Sequence, residues 1–419
     1  MAPFLLFDYS VKASAAVCAS LFIQAAGATD GSIHQAPELA RQPMFGINCL
    51  PGPLQFDTFP TCVMAGGEGD EPWAPWTYRP YCTDNTTYCV FTHAHFQGPN
   101  RGVSIIDVQP SGSDNNTTSA VTSIAEFLSS LGASHGSQDD GHEEQPSPFE
   151  VRDIPGKGKG LIATRKIRRG HVFMVDHAAV VADVRLPTRI RRAEGLQLLK
   201  EAVERLPGAD EVLNLARSSR DPENVPVFED VIRTNSFTVE IAGKDYMVLF
   251  PRIARMNHAC KPSAITRFNS TTLSNTVTAF RDIQPGEEIT ISYASFGLPS
   301  QVRKKKLLSN WGFNCTCDLC SLPPDELAAS DERRTRISLL SKEVIDLVER
   351  GGKENMKKAA GLYGEAVDAV RVEGLVPHLG SHYQVLGQLW AAAGDVDKGK
   401  EFIKRAKEET AAFEESKEP

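Results

Sequence analysis

The most constraining feature of the sequence is a crowded cysteine motif, Cys315-Thr316-Cys317-Asp318-Leu319-Cys320. Three thiols this close together would be vulnerable to oxidation if they were free. Thiolates at this spacing are typical of a structural zinc site, which takes four ligands in a tetrahedral arrangement. The motif therefore predicts a metal site that fixes this loop and takes one further ligand from elsewhere in the chain.

Charge separates an acidic front from a mildly basic remainder. The chain has 419 residues, enough for two or three domains, and a net charge of −8. The acidic excess lies within residues 1–150. The balance in the remainder neither favours nor excludes nucleic acid, and we expect no direct nucleic-acid binding. No apolar run is long enough and free enough of charge to span a membrane, so we expect no membrane span.

The N-terminus has the pattern of a signal peptide. An apolar run at residues 13–26 is followed by the small residues Ala26-Gly27-Ala28, which fits a signal peptide over residues 1–28. This favours the secretory pathway. A disordered, alanine-rich N-terminus on a nuclear or cytoplasmic protein is the alternative.

Two segments precede the part with regular hydrophobic patterning. Residues 29–110 form a Cys/aromatic-rich N-terminal segment, which we expect to be a small unit rich in loops. Residues 111–148 are rich in Ser, Gly, Asn and Asp and predict a disordered linker, apart from a short helical piece near Ile124–Leu131. The front segment holds four cysteines that could form two disulfides, with the pairing left open: Cys49, Cys62, Cys82 and Cys89.

Hydrophobic periodicity predicts a β-rich core at residues 149–294 with a helical insert at residues 188–217. Short strand patterns such as Phe237–Ile241 occur on both sides of the insert. The absence of βαβ repetition argues against a doubly wound nucleotide-binding fold. Residues 331–415 have the spacing of amphipathic helices, which fits either a degenerate tetratricopeptide array or a plain helical bundle.

Four further motifs carry polar groups. The glycine-rich turn Gly158-Lys159-Gly160 would allow a ligand to approach the backbone, although an ordinary hairpin turn is the alternative. Asn257-His258 is a polar pair inside apolar sequence, which is often structural. Tyr293 ends a β-patterned segment, where a tyrosine is commonly a core residue. Arg303-Lys304-Lys305-Lys306 predicts a solvated helix face, with docking of an acidic peptide as the alternative.

Together these motifs resemble those of SET-domain protein lysine methyltransferases, in the SET/MYND-like group without a MYND finger. The resemblance covers residues 149–320 and rests on Asn257-His258-Ala259-Cys260-Lys261-Pro262, on the segment from Gly286 to Tyr293 and on the cysteine motif. Pro80-Tyr81-Cys82 and its neighbours resemble the front of filamentous-fungal SET proteins. The implied fold is α+β, with an irregular β-rich SET core, a zinc-binding post-SET tail at residues 295–322 and a C-terminal tetratricopeptide-like helical domain.

The resemblance also implies roles for individual residues. It makes Cys260 the fourth zinc ligand beside the three cysteines of the motif. It makes Tyr293 the catalytic residue and places Trp311 beside it in the channel for the substrate lysine, where related enzymes often have a second tyrosine. The implied cofactor is S-adenosylmethionine (AdoMet), bound by Gly158, Lys159, Gly160, Asn235, Asn257, His258 and Phe313.

The implied activity is methyl transfer from AdoMet to a lysine of a histone or another protein, by a monomeric enzyme. Trp311 adds bulk to the channel and removes a hydroxyl from it. A catalytically weak SET-like module that binds AdoMet or a peptide is therefore one alternative. A secreted, disulfide-stapled protein with a repurposed SET fold is the other.

Overall fold

The structure is a computed structural model that describes residues 73–84, 86–98, 101–109, 120–132, 147–218, 221–375 and 379–414. The predicted signal peptide, Cys49 and Cys62 lie outside the described residues. Within the described part, no helix is both long and apolar enough to cross a membrane.

The described residues form a mixed α+β fold, as predicted, whose elements are labelled in chain order. Strands β1 to β13 are Tyr81–Cys82, Tyr88–His93, Val103–Val108, Phe149–Ile154, Gly158–Ala163, Val172–His177, Val180–Asp183, Phe237–Ile241, Lys244–Leu249, Asn257–His258, Ala264–Asn269, Ser274–Ala279 and Glu288–Ile291. Helices α1 to α10 are Ala120–Gly132, Leu186–Arg189, Arg192–Glu204, Ala209–Leu213, Val227–Asn235, Ser300–Trp311, Pro324–Arg350, Lys353–Val372, Leu379–Ala392 and Val396–Glu414. Two short 3₁₀ turns, Ile253–Arg255 and Asp318–Ser321, complete them.

Three small sheets build the irregular β core. The strand orders are β1-β2-β3-β7-β9-β8, β10-β13-β5-β4 and β11-β12-β6. In the four-stranded sheet β13 pairs in parallel with β10 and antiparallel with β5. The glycine-rich turn that opens β5, the Asn-His pair of β10 and the strand that leads to Tyr293 are therefore close neighbours.

The front segment is joined to this core by backbone hydrogen bonds. Strand β3 pairs in parallel with β7, so that β1, β2 and β3 extend the sheet formed by β7, β9 and β8. Both β2 and β3 are buried along nearly their whole length. The sequence predicted a small unit rich in loops here, and the strands of this segment belong to the largest sheet within the described residues. A disulfide joins Cys82 to Cys89 across β1 and β2.

Two buried tyrosine–aspartate pairs connect the front strands to the rest of this sheet. The Tyr246 hydroxyl on β9 donates to Asp107 on β3 at 2.8 Å. The Tyr88 hydroxyl on β2 donates to Asp183 on β7 at 3.0 Å, and Arg185 holds the same carboxylate through its side chain. Buried carboxylates need such partners, because an unpaired charge in the interior is costly.

Helix α1 lies within the segment predicted as a linker, where the sequence indicated a short helical piece. Its Ile124 and Leu128 are buried in the main hydrophobic cluster. The backbone N–H of Ala120 donates to the Tyr246 hydroxyl at 3.0 Å. The helix is thus packed on the β core. The rest of the predicted linker, residues 111–119 and 133–146, lies outside the described part.

The helical insert appears as three short helices, α2, α3 and α4. The break at Pro207-Gly208 separates α3 from α4, as the sequence indicated. Apolar residues of α3 and α4, including Val203 and Val212, pack against β7, β9 and helix α5. The insert therefore covers one face of the sheet.

The C-terminal residues form four helices, α7 to α10. Helix α7 begins at Pro324, earlier than the periodicity alone indicated. Its Val344 and Leu347 pack with Met356, Tyr363 and Leu389 of the next helices in a separate core. The choice between a tetratricopeptide array and a plain bundle stays a prediction.

Candidate active site and metal centre

A cavity of about 530 Å³ lies where the four-stranded sheet meets helices α5 and α6. Its size is within the range of small-molecule and cofactor sites. The lining residues are Gly156, Lys157, Gly158, Lys159, Asn214, Leu215, Ala216, Arg217, Ser218, Thr234, Asn235, Ala254, Arg255, Asn257, His258, Tyr293, Trp311, Phe313, Asn314, Cys315, Thr316 and Cys317. Every predicted cofactor and channel residue is therefore at this cavity, except Gly160, which stands just behind it.

The glycine-rich turn forms one wall of the cavity because it packs directly against Asn257. Gly158 has φ +73°, a backbone conformation that residues other than glycine rarely adopt. A Cβ atom on Gly160 would lie 2.7 Å from Nδ2 of Asn257 and 2.3 Å from Cδ1 of Ile154. Any larger residue at position 160 would displace the Asn257 amide.

Two asparagine amides at the cavity have fixed orientations. Nδ2 of Asn257 donates to the Lys159 carbonyl at 3.2 Å and to Glu288 Oε1 at 3.0 Å. Nδ2 of Asn235 donates to the carbonyls of Ala216 and Val231, both at 2.8 Å. All four partners are acceptors, so each amide nitrogen must face them. Each side chain therefore retains its Oδ1 atom as the group that a ligand could use, and that atom is an acceptor.

Four aromatic rings meet at the other end of the cavity. The Tyr293 ring centroid lies 5.2 Å from that of Trp311, 5.3 Å from that of His258 and 6.5 Å from that of Phe313. Nε1 of Trp311 donates to the Thr234 carbonyl at the end of α5, at 2.9 Å. Trp311 is thereby held by a tilted ring contact with Tyr293 and by the hydrogen bond of its nitrogen.

The Tyr293 hydroxyl has a defined role in hydrogen bonding. It donates to the Met256 carbonyl at 2.7 Å, so its oxygen is left to accept a hydrogen bond. Burial, together with the charge of Glu288, raises the pKa of Tyr293 above its ordinary value. The group is therefore a neutral acceptor at physiological pH and is unsuited to act as a base.

The imidazole of His258 faces the protein through both nitrogens. The backbone N–H of Tyr293 donates to Nδ1 at 2.9 Å, so the ring proton is on Nε2, which lies 3.3 Å from Sγ of Cys260. Burial lowers the pKa of His258 to about 4. His258 is thus a neutral donor to a cysteine sulfur, and a ligand in the cavity would meet its backbone and ring face.

The predicted zinc ligands lie together beside the cavity. The sulfur atoms of Cys260, Cys315, Cys317 and Cys320 all lie within 4.8 Å of one another. Sγ of Cys260 is 3.9 Å from that of Cys315 and 3.6 Å from that of Cys320. Tetrahedral zinc with four sulfur ligands requires sulfur–sulfur separations of about 3.8 Å. The four cysteines therefore fit a zinc ion, and the cluster could hold one.

Three residues that the sequence analysis did not assign to the cofactor, channel or metal site also take part in this region. Glu288 accepts from Asn257 and also pairs with Lys157 at 2.6 Å. Arg303 was predicted on a solvated helix face, but its side chain is 1% exposed, and its Nε donates to Sγ of Cys260 at 3.3 Å. That prediction was wrong for Arg303. Asp230, fully buried, accepts from Arg217 of the cavity wall at 3.2 Å.

Only Glu288 had a signal in the sequence, since it stands in the β-patterned segment that leads to Tyr293. Arg303 stands in a run of four basic residues, and Asp230 stands at no recognisable motif. A single basic or acidic residue in such a context gives no indication of burial.

A comparison with protein-family models identifies the family to which this domain is related. The model described as SET domain matches residues 158–294, which contain β5 to β13 and the helical insert. Residues 158–294 are a SET domain. The match begins at the glycine-rich turn and ends one residue after Tyr293, so it contains the cavity residues Gly158, Lys159, Asn257, His258 and Tyr293.

The chain is also similar to curated lysine methyltransferases. Histone-lysine N-methyltransferase set5 of Schizosaccharomyces pombe is 29% identical over 191 residues, which cover 45% of this chain and 56% of that protein. N-lysine methyltransferase SMYD2-B of Danio rerio is 30% identical over 132 residues, and SMYD2 of Homo sapiens is 28% identical over 130 residues. In each of these two, 30% of this chain and 30% of the relative are covered. The chain thus matches about half or less of each relative's length.

Proposed function

We propose that the protein is an AdoMet-dependent protein lysine N-methyltransferase. The observation that carries the proposal is the meeting, in one cavity, of two asparagine acceptors with a partly buried tyrosine whose hydroxyl oxygen is left to accept a hydrogen bond. The lysine methyltransferases similar to the chain support the reaction class. The substrate, a lysine of a histone or another protein, belongs to the proposal.

The two asparagines suit the amino-acid end of AdoMet. An ammonium group has three N–H donors and no acceptor. Oδ1 of Asn235 and Oδ1 of Asn257 would each accept one of its hydrogen bonds. The carboxylate would lie near the basic side chains of the same wall, of which Arg255 is half-buried and donates to the Asn214 carbonyl at 3.0 Å. Phe313 and the backbone of His258 would then bound the adenine end.

When bound, AdoMet supplies an electrophilic methyl group on a positively charged sulfur. The amine that attacks it must be neutral, whereas a free lysine has a pKa of about 10.4. An apolar channel walled by Tyr293 and Trp311 disfavours the charged amine by desolvation. The proton leaves to solvent, because the tyrosine is neither ionised nor placed as a base.

Tyr293 aligns the amine. Its hydroxyl proton is committed to the Met256 carbonyl, so the oxygen would accept an N–H of the lysine and turn the nitrogen lone pair toward the methyl group. Holding two reacting groups in line is the main contribution that such a site can make. Tyr293 is itself held by its backbone N–H bond to His258, which connects the channel with Cys260.

Zinc bound by Cys260, Cys315, Cys317 and Cys320 would have a structural role. Four cysteine ligands leave no open position for a substrate. The metal would fix the loop after Phe313 against the SET domain and so complete the cavity. We expect about one zinc per chain at this site.

The test of the proposal is methylation of a histone panel and of cell lysate with labelled AdoMet, with calorimetry of AdoMet binding. Asn257→Ala should abolish AdoMet binding in a folded protein. Tyr293→Phe should leave AdoMet affinity unchanged and lower turnover on the order of 10²-fold. Tyr81→Phe, on the front sheet, is the matched control. Unchanged AdoMet affinity in Asn257→Ala, or normal turnover in Tyr293→Phe, would contradict the assignment.

Trp311→Tyr tests the width of the channel. The smaller side chain with a hydroxyl would leave room for a water beside the amine, so the variant should transfer more methyl groups to each lysine. Mass spectrometry of a methylated peptide measures this. If the wild type binds AdoMet without turnover and Trp311→Tyr restores activity, the wild-type protein is the weak binding module. An unchanged rate and product would place the channel elsewhere.

A further inference from the structure

Two arginine side chains are fully buried beside the cysteine cluster. Arg303 of α6 is 1% exposed and Arg334 of α7 is 0% exposed. Removing a guanidinium from water is costly unless it finds opposite charge and hydrogen bonds. Burial of two such cations at one place therefore requires a local excess of negative charge or acceptors.

Arg303 reaches the cluster from the side of α6. Its Nε donates to Sγ of Cys260 at 3.3 Å. Its Nη1 donates to the Leu298 carbonyl and lies 3.7 Å from Oδ1 of Asp331. With Nε2 of His258, Sγ of Cys260 thus faces two N–H donors.

Arg334 reaches the same cysteine from the C-terminal helices. Its Nη2 donates to the backbone carbonyl of Cys260 at 3.3 Å, and its Nη1 donates to the Phe296 carbonyl at 2.8 Å. Its Nε donates at 2.8 Å to Glu373, which follows α8 and is itself buried. One side chain therefore joins the cysteine segment to two C-terminal helices.

The charge of a loaded site accounts for this arrangement. Four thiolates and one Zn²⁺ carry a net charge of about −2. N–H donors around a metal site orient the ligands, and their loss typically lowers metal affinity by about 10- to 100-fold. Arg303 supplies both a donor and a positive charge at the sulfur, and Arg334 fixes the backbone of the same ligand.

We propose that Arg303 and Arg334 are positioning residues that couple zinc binding at the four cysteines to docking of helices α7 and α8. Arg303 holds the Cys260 sulfur in place and offsets its charge. Arg334 of α7 bonds both to the Cys260 carbonyl and to Glu373 at the end of α8, so a displacement of Cys260 would displace both helices. Coupling of this kind is reciprocal, so zinc tightens the docking of the helices and the docked helices tighten the binding of zinc.

The inference rests on the zinc site proposed above, and zinc itself is the probe that separates the two. Zinc affinity of the full chain is measured by competition with a chromophoric chelator. Arg334→Gln should weaken zinc binding about 10-fold or more, although Arg334 touches no cysteine sulfur. Arg336→Gln is the matched control, since Arg336 is on the same helix and pairs with Glu365 at the surface; its zinc affinity should equal that of the wild type.

Two substitutions at Arg303 distinguish the effect of its positive charge from the effect of its hydrogen-bond geometry. Arg303→Gln should weaken zinc binding by at least as much as Arg334→Gln. Arg303→Lys, which keeps the charge but lacks the fork of donors, should give a smaller loss. Lys304→Gln, at the next position on α6, serves as the control for surface charge.

The reciprocal effect is measured in the wild-type chain, so that it does not depend on whether a variant folds. Removal of zinc by a chelator should increase amide hydrogen exchange in residues 324–375. Strands β2 and β3 should keep their protection. Unchanged zinc affinity in Arg303→Gln and Arg334→Gln, or equal losses in the controls, overturns the coupling alone. A wild type that binds no zinc overturns the metal site and the coupling together.

Discussion

The front strands and the C-terminal helices flank the same SET domain, but they are attached to it in different ways. Strands β1 to β3 continue its largest sheet, and the junction is a parallel ladder between β3 and β7. Helices α7 and α8 meet it through buried side chains, above all the Arg334 bonds to Cys260 and Phe296. The first junction consists of backbone hydrogen bonds, whereas the second consists of hydrogen bonds made by buried charged side chains.

This difference indicates which of the two junctions depends on zinc. A backbone ladder supported by the pairs Tyr246–Asp107 and Tyr88–Asp183 needs no cofactor to be complete. At the second junction Arg303 and Arg334 also contact Cys260, which would carry negative charge when the cysteine site holds zinc. We therefore expect treatments that act on zinc to loosen the C-terminal side and to spare the front.

The largest expected effect comes from removing a zinc ligand. Cys315→Ser should reduce bound zinc from about one per chain to a trace, because three cysteines cannot close a tetrahedral site. AdoMet binding should be lost with it, since Trp311 and Phe313 immediately precede this ligand. Metal analysis and calorimetry measure the two effects. Retention of stoichiometric zinc by Cys315→Ser would remove this cysteine from the ligand set.

Loss of the front disulfide should act only on stability. Closing a loop between Cys82 and Cys89 stabilises a fold by about 2–3 kcal/mol in the chain-entropy treatment. The double variant Cys82→Ser, Cys89→Ser should lower the free energy of unfolding by this amount, measured with denaturant. Its zinc content should match that of the wild type. A parallel loss of zinc would show that the two junctions are not independent.

A smaller effect is expected from the tyrosine that joins β9 to β3. Tyr246→Phe leaves the buried Asp107 carboxylate and the Ala120 N–H with fewer partners, at a cost of about 1–3 kcal/mol. Tyr88→Phe should cost less, because Arg185 still holds Asp183 in place. Denaturant unfolding of both variants measures the difference. Equal costs would mean that Arg185 does not support its carboxylate.

The smallest effect is a difference in pH dependence between the two junctions. Burial raises the pKa of Asp107 above its ordinary 3.8. Burial also acts to raise the pKa of Glu373, but hydrogen bonds from Ser330, Arg334 and Arg333 outweigh it and lower that pKa below 4.5. Between pH 3.8 and the folded-state pKa of Asp107, this carboxyl group binds more protons in the folded than in the unfolded state. Its contribution to the free energy of unfolding therefore falls as pH rises. The contribution of Glu373 is present above 4.5 and is lost as pH falls through its folded pKa.

The measurement compares two isosteric variants with the wild type. On acidification toward pH 4, Glu373→Gln should approach the wild type in stability. Asp107→Asn should instead lose stability relative to the wild type. The same sign of change in both would contradict the opposite electrostatics of the two junctions.

Local patterns carried much of the fold and of the candidate site. Strand Phe237–Ile241 has the bounds that its alternation predicted, and the cysteine motif identified three of the four clustered thiols. The pairing of β3 with β7 could not be predicted, because it joins residues more than 70 positions apart and depends on tertiary contacts. Burial of Arg303 depends in the same way on Cys260, 43 positions away.

The ladder between β3 and β7 has a consequence for fragments of the protein. A fragment that starts at Phe149, where the sequence analysis placed the beginning of the core, would contain β7 but lack its neighbour β3. All four residues of β7, Val180–Asp183, are buried in the full sheet. The cut would expose them on an unpaired edge, and such an apolar edge is a template for intermolecular β pairing. The shortened chain should therefore aggregate, whereas a fragment that retains the front strands should remain dispersed.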